Sequence, residues 1–98
     1  MLRQFAYEEV TVSNASKELT ASTYQPSTGQ GACRAIITIE GGNIRHRSDG
    51  TAPTDTVGEP GRAGMQITLK SQGEIVDFRA IREKAANATL RVAYFRQV

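Results

Sequence analysis

The stretch CRAIITIEGGNIRHRSDG, residues 33–50, decides the fold. Successive side chains of an extended chain point to opposite faces, so Ala35, Ile37 and Ile39 share one face and Ile36 and Thr38 the other. Apolar residues on both faces predict a strand covered on two sides, either central in a sheet or at a subunit contact. Gly41-Gly42 then predicts a tight hairpin, because both glycines can take positive φ at no steric cost. NIRHR resumes as a second strand, with Ile44 and His46 on one face and Arg45 and Arg47 on the other. Asp49-Gly50 ends it in a turn, where the Asp side chain can accept from the following backbone N–H groups.

The same alternation recurs to either side. MQITLK (65–70) places Met65, Ile67 and Leu69 inward, LRVAYF (90–95) places Leu90, Val92 and Tyr94 inward, and EEVTVS (8–13) does so with Val10 and Val12. Residues 74–86, EIVDFRAIREKAA, fit both a helical and a strand period. The strands around them favour a strand from 75 to 82. STYQPSTGQG (22–31), SDGTAPTDTVGEPGRAG (48–64) and SQGE (71–74) carry the residues of turns and surface loops, and the second is long enough to serve a function. Short strands punctuated by turns predict an all-β chain, an antiparallel sandwich or a barrel.

Ninety-eight residues suit one domain, 1–98, and a chain this short gains stability from partner subunits. With 39% hydrophobic and 22% charged residues, the composition is that of a soluble globular protein. The net charge of +2, with nine arginines against three lysines, is too small and too dispersed to favour direct nucleic-acid binding or an anionic membrane. MLRQFAYEEV has no apolar run of signal-peptide length, and no segment approaches the roughly 20 apolar residues of a membrane span, so synthesis in the cytoplasm and no membrane partner are expected. Cys33 is the chain's one cysteine and His46 its one histidine, which leaves neither an internal disulfide nor a zinc constellation.

Each chemically suggestive residue has a structural explanation. A lone His46 on the apolar face of a strand reads as a packed ring with a satisfied nitrogen rather than a general base. Asp49 reads as a turn former, since SDGTAPTD supplies too few oxygen ligands for a calcium loop. Cys33 reads as a small core residue. Arg45, Arg47, Arg79, Arg82, Arg91 and Arg96 would form a cationic stripe if their strands adjoin. No nucleophile elbow or phosphate-binding glycine loop occurs, so neither catalytic residue, cofactor nor metal is expected, and the chain reads as non-enzymatic.

In this order the motifs resemble a family of small structural proteins of tailed-bacteriophage particles, many of them capsid decoration or cement proteins. The matching pieces are TVS ending at Ser13, ACRAIITIEGGNIRHRSDGTAPTDTVG, GMQITL, IVDFRAIR and ATLRVAYF, spanning Val10 to Phe95. The most specific is I-R-x-R-x-D-G-T-x-P-T-x-x-V-G at Ile44 to Gly58, followed by F-R-A-I-R at Phe78 to Arg82. The resemblance implies a jelly-roll-like β-sandwich residing in the virion capsid. It also implies contacts to the major capsid protein and to copies of itself, with a trimer favoured on a three-fold position. Residues 1–8, with Phe5 and Tyr7, read as an interaction arm, and Arg45, Arg47, Asp49, Arg79 and Arg82 complete the candidate interaction residues. Two alternatives stay open: a low-copy tail or head–tail connector component, and a small carbohydrate-binding sandwich module, whose hairpins D-G-T-x-P-T also resembles.

Overall fold

The computed structural model describes residues 1–26 and 30–97. Among them, two four-stranded antiparallel sheets form a sandwich. The first holds β1 (Leu2–Val12), β8 (Ala88–Gln97), β3 (Arg34–Glu40) and β6 (Gln66–Leu69), in that order. The second holds β2 (Lys17–Glu18), β7 (Arg79–Arg82), β4 (Ile44–Arg47) and β5 (Glu59–Gly61). Two short helices, α1 (Ala21–Tyr24) and α2 (Gln72–Asp77), lie in connections. The pairing is nested: β1 with β8, β2 with β7, β3 with β6, and β4 with β5. The contacts β8·β3 and β7·β4 then complete each sheet.

The inner faces are the ones the alternation selects. Ile37 and Ile39 of β3, Ile44 of β4, and Leu90, Val92 and Tyr94 of β8 are buried together with Phe78 and Ile75 in one cluster. Each such aliphatic or aromatic side chain contributes about 1.5–3 kcal/mol on leaving water. β3 is an interior strand of its sheet, as its two apolar faces predict, with Ile36 and Thr38 half-buried on the outer side.

Several expectations change. Gly41-Gly42 does not close a hairpin: β3 and β4 lie in different sheets, and the glycines turn the chain across the sandwich. Gly41 takes φ +82, and a Cβ on Gly42 would stand 2.9 Å from the Ala86 carbonyl oxygen and 3.0 Å from that of Asn87. The pair thus serves a close backbone approach at a corner, where β3 already has β8 and β6 as neighbours and has no edge left for β4.

The segment expected as a strand over 75–82 is divided, α2 ending at Asp77 and β7 beginning at Arg79. Both periods in it are real, one for each half. The Ser71 hydroxyl accepts from Glu74 N and the Glu74 carboxylate from Lys70 N, so the S-x-x-E of the supposed turn SQGE is a helix-starting cap. Met65, expected inward, lies just before β6 and is 44% exposed, its sulfur accepting from Arg62 N in a turn. In the stretch expected as a loop over 22–31, residues up to Tyr24 belong to α1, while 27–29 lie outside the described residues.

The first strand begins at Leu2 rather than Glu8, so the segment expected to be an arm is the first half of β1. Its register against β8 shifts between Gln4 and Ala6, a bulge at Phe5. Glu8 falls on the inward phase with Ala6, Val10 and Val12, where its carboxylate accepts from the Tyr94 hydroxyl at 2.5 Å and from Thr20 N at 3.2 Å. A bulge and an inward charge are both devices that blunt an exposed edge against indiscriminate pairing. β2, β5 and β6 are blunted instead by shortness, β5 also by Pro60.

Substituting Gly42→Ala forces its new methyl against two main-chain oxygens that have no rotamer to yield. A loss of about 1–3 kcal/mol is expected from chemical denaturation. Gly73→Ala in α2, where the nearest atom to a Cβ is Ser71 Oγ at 3.8 Å, is the control and should be neutral or slightly stabilising.

Candidate functional site

The arginines divide between the two sheets. Antiparallel register places Arg47 opposite Arg79 and Arg45 opposite Ile81. Arg45, Arg47 and Arg79 therefore share the outer face of the second sheet. Arg82 stands opposite Ile44, on the other side of its strand, and its guanidinium donates to Asn87 Oδ1 at 2.7 Å. Arg91 lies on the outer face of the first sheet, and Arg96 sits with its guanidinium 4.6 Å from the Phe5 ring centroid. The six do not form the expected stripe, because their strands belong to two sheets facing opposite ways.

Two like charges directly opposite, Arg47 and Arg79, would repel on a bare strand pair. Each is answered by a carboxylate. Arg47 Nε donates to Asp49 Oδ1 at 3.1 Å, and a second bond runs from Nη2 to Oδ2. Asp49 Oδ1 also accepts from Thr51 N at 3.2 Å, and Gly50 takes φ +82, which gives the turn read from Asp-Gly. The hydrogen bonds from Arg47 and then from Thr51 N hold the Asp49 carboxyl below its usual range. Arg79 donates to the carbonyls of Val76 and Phe78 and lies 3.6 Å from Glu18, joining the end of α2 to β2.

Arg45 has two attachments, Nη1 to the Gly58 carbonyl at 3.1 Å and Nε 2.8 Å from Glu83 Oε2. Glu83 also receives Arg62 at 2.7 Å, and that hydrogen bond is the main reason its carboxyl is held low, with the charges of Arg62 and Arg45 adding to it. One carboxylate therefore ties β4 and the approach to β6 to the β7–β8 connection. The long loop is ordered on this face. Pro53 is buried, and Thr54 Oγ1 accepts from Val57 N at 2.9 Å and Thr56 N at 3.3 Å.

On the first sheet, Arg91 bonds Glu9 at 2.6 Å, Glu40 at 2.7 Å and the Tyr7 hydroxyl at 3.1 Å, stitching three adjacent strands. Tyr7 keeps half its surface exposed, while Phe5 is partly buried against the core. The candidate residues thus fall into two groups on opposite faces, Phe5 and Tyr7 with β1, and Arg45, Arg47, Asp49 and Arg79 on the second sheet, with Arg82 apart from both.

His46 points inward as the alternation requires, 7% exposed and stacked at 5.8 Å on Phe78. Its Nδ1 has no hydrogen-bond partner among the protein's own groups. Cys33 is half-buried at the entry to β3 rather than in the core. Glu8 and Glu83 were missed. For Glu8 the signal was present: a carboxylate on the inward phase of a strand must find a donor. For Glu83 it was not, because Arg45 and Arg62 reach it only through the pairing of distant segments.

Fold and surface together define a small two-sheet antiparallel β-sandwich whose outer faces are laced by arginine–carboxylate pairs. No family model, curated protein or solved structure matches the chain.

Burial holds the His46 imidazole below its ordinary 6.5, with the charge of Glu59 opposing. The unfolded chain therefore takes up a proton that the folded chain resists. The His46 contribution is complete above pH 6.5 and declines as pH falls below it toward the folded-state value. Its slope is at most about 1.4 kcal/mol per pH unit. Urea midpoints measured from about pH 8 to pH 5 should fall across this window for the native chain and stay level for His46→Phe. Asp49 and Glu83 contribute in the same direction only at lower pH, near and below the ordinary values of 3.8 and 4.5.

Proposed function

We propose that this chain is a non-enzymatic structural protein of a tailed-bacteriophage virion, a capsid decoration protein that bridges and stabilises neighbouring major capsid subunits. We read the nested strand pairing as a jelly roll, the fold that goes with that class in the motif resemblance. The observation that carries the proposal is the N-terminal strand. β1 runs from Leu2 to Val12 at the rim of its sheet with β8 on one side only, so its other edge keeps a row of backbone groups for a neighbour. The bulge at Phe5 and the inward Glu8 oppose casual pairing along that edge and leave it to a partner shaped for it.

The ion pairs support the same reading. Asp49 and Glu83 fix the long loop and the β7–β8 connection to the sheet, which gives a stiff outer face suited to bridging fixed points on a lattice. Modest contacts to two or three subunits at once, or between copies around a three-fold axis, combine into firm attachment. The chain's place in this reading is the capsid of the virion, its partners the major capsid protein and copies of itself.

Quantitative mass spectrometry of purified particles tests it. A copy number equal to that of the major capsid protein, or a simple fraction of it, is the expected result. A handful of copies moves the chain to the tail or connector, and absence from the particle overturns the virion reading. Removing residues 1–5, which end at the bulge, leaves Glu8 and its bonds to Tyr94 and Thr20 in place. The truncated chain is expected to keep its circular dichroism spectrum and lose particle binding, whereas a cut after residue 8 removes Glu8 itself and should damage the fold.

A further inference from the structure

The two sheets do not meet along all of their length. Where β6 and α2 stand across from β4 and β5, they leave an open cleft of about 570 Å³ that the candidate residues above do not explain. Its apolar lining is Ile67 and Leu69, beside the His46 ring. Its charged lining is Arg47, Asp49, Glu59 and Glu74, one cation against three carboxylates, and Arg47 is already paired to Asp49. Glu59 and Glu74 remain as the net charge, from β5 and α2 respectively. Glu59 stands opposite His46 in the β4·β5 register and so on the same face, close enough for its charge to act on the imidazole.

We infer that this cleft binds a primary ammonium group carried on a short alkyl stem. The carboxylates of Glu59 and Glu74 answer the ammonium, while Ile67 and Leu69 accept the stem. His46 is the independent sign of a site: more than nine-tenths buried, it is one of the residues lining the cleft, and its Nδ1 has no partner among the protein's groups. Burial keeps that ring neutral at pH 7, so it does not repel a cation. An anion would face two uncompensated carboxylates. A sugar would find no Trp, Tyr or Phe in the lining to stack on. The described residues contain no group of His, Cys, Asp and Glu that could hold a metal ion. The ammonium can come from a free alkyl diamine or from a lysine side chain of a partner protein, and the inference stands independently of the virion reading.

The chain's single histidine makes the test unambiguous, because its ring protons can be followed by NMR without assignment. Isolated protein is titrated with pentane-1,5-diamine, Nα-acetyl-lysine amide, n-butanol and sodium butyrate. Saturable shifts of the His46 ring signals with either amine, absent with butanol and butyrate, are expected. Glu59→Gln and Glu74→Gln should each weaken amine binding about two- to fivefold, the worth of an exposed ion pair, while the amide spectrum shows the fold intact. Gln at 74 keeps an acceptor for Lys70 N. Asp55→Asn, outside the cleft, should change nothing. Tighter binding of the diamine identifies a free amine, and binding of acetyl-lysine amide at least as tight identifies a protein side chain. The inference is overturned by no saturable shift with either amine, by an equal shift with butanol, or by amine affinity unchanged in the doubly substituted protein.

Discussion

The alternation of β8 is the constraint on which the rest of the molecule depends. It is the strand with β1 on one side and β3 on the other, and its inward residues Ala88, Leu90, Val92 and Tyr94 are all essentially buried. Once these face the second sheet, Arg91 must face solvent, in line with Glu9 and Thr38 on the neighbouring strands. A shift by one residue would exchange the two sets, placing a guanidinium in the core and these four side chains in water. The core and the surface ion pairs are thus two aspects of one register.

The same register explains how a chain with nine arginines keeps its outer faces from repelling themselves. Arg47 and Arg79 are brought opposite each other by the pairing of β4 with β7, and the structure resolves this locally, Arg47 through a carboxylate two residues on and Arg79 through carbonyls at the end of α2. Exposed ion pairs of this sort are individually worth little. Their use is positional, because each carries a loop or a helix end with it. Asp49 holds the start of the long loop, Arg45 its end at Gly58, and Glu83 the connection to β8.

Strands whose two faces differ clearly were legible in the sequence. Residues 66–69 and 90–95 read correctly from period alone, as did the inward Val10 and Val12, because their burial depends only on which face they occupy. The Asp49 turn was legible because its hydrogen bonds are local. Gly41-Gly42 was misread because a glycine pair specifies a sharp turn without saying whether the chain returns to the same sheet or crosses to the other. That choice was made by β6 and β8, which had already taken both edges of β3. The strand expected over 75–82 is right at Arg79–Arg82 and wrong before it, because two elements with different periods meet there, and Ser71 and Glu74 mark the helix start. The arginine stripe and the cleft at His46 required knowing which strands are neighbours, and alternation within a strand carries no information about that.

The nested pairing also sets an order of assembly. β4 and β5 are the pair closest in sequence, and each next pair, β3·β6, β2·β7 and β1·β8, closes over the one before. Forming the outer pairs first would cost the entropy of closing nearly the whole chain, so pairing outward from β4·β5 is the order that costs least in loop entropy. The rim where Leu2 meets Gln97 is by the same logic the place where the closed molecule begins to fray. A neighbour that clamps β1 there acts on the first step of unfolding, and so prolongs the life of the fold without adding anything to its core.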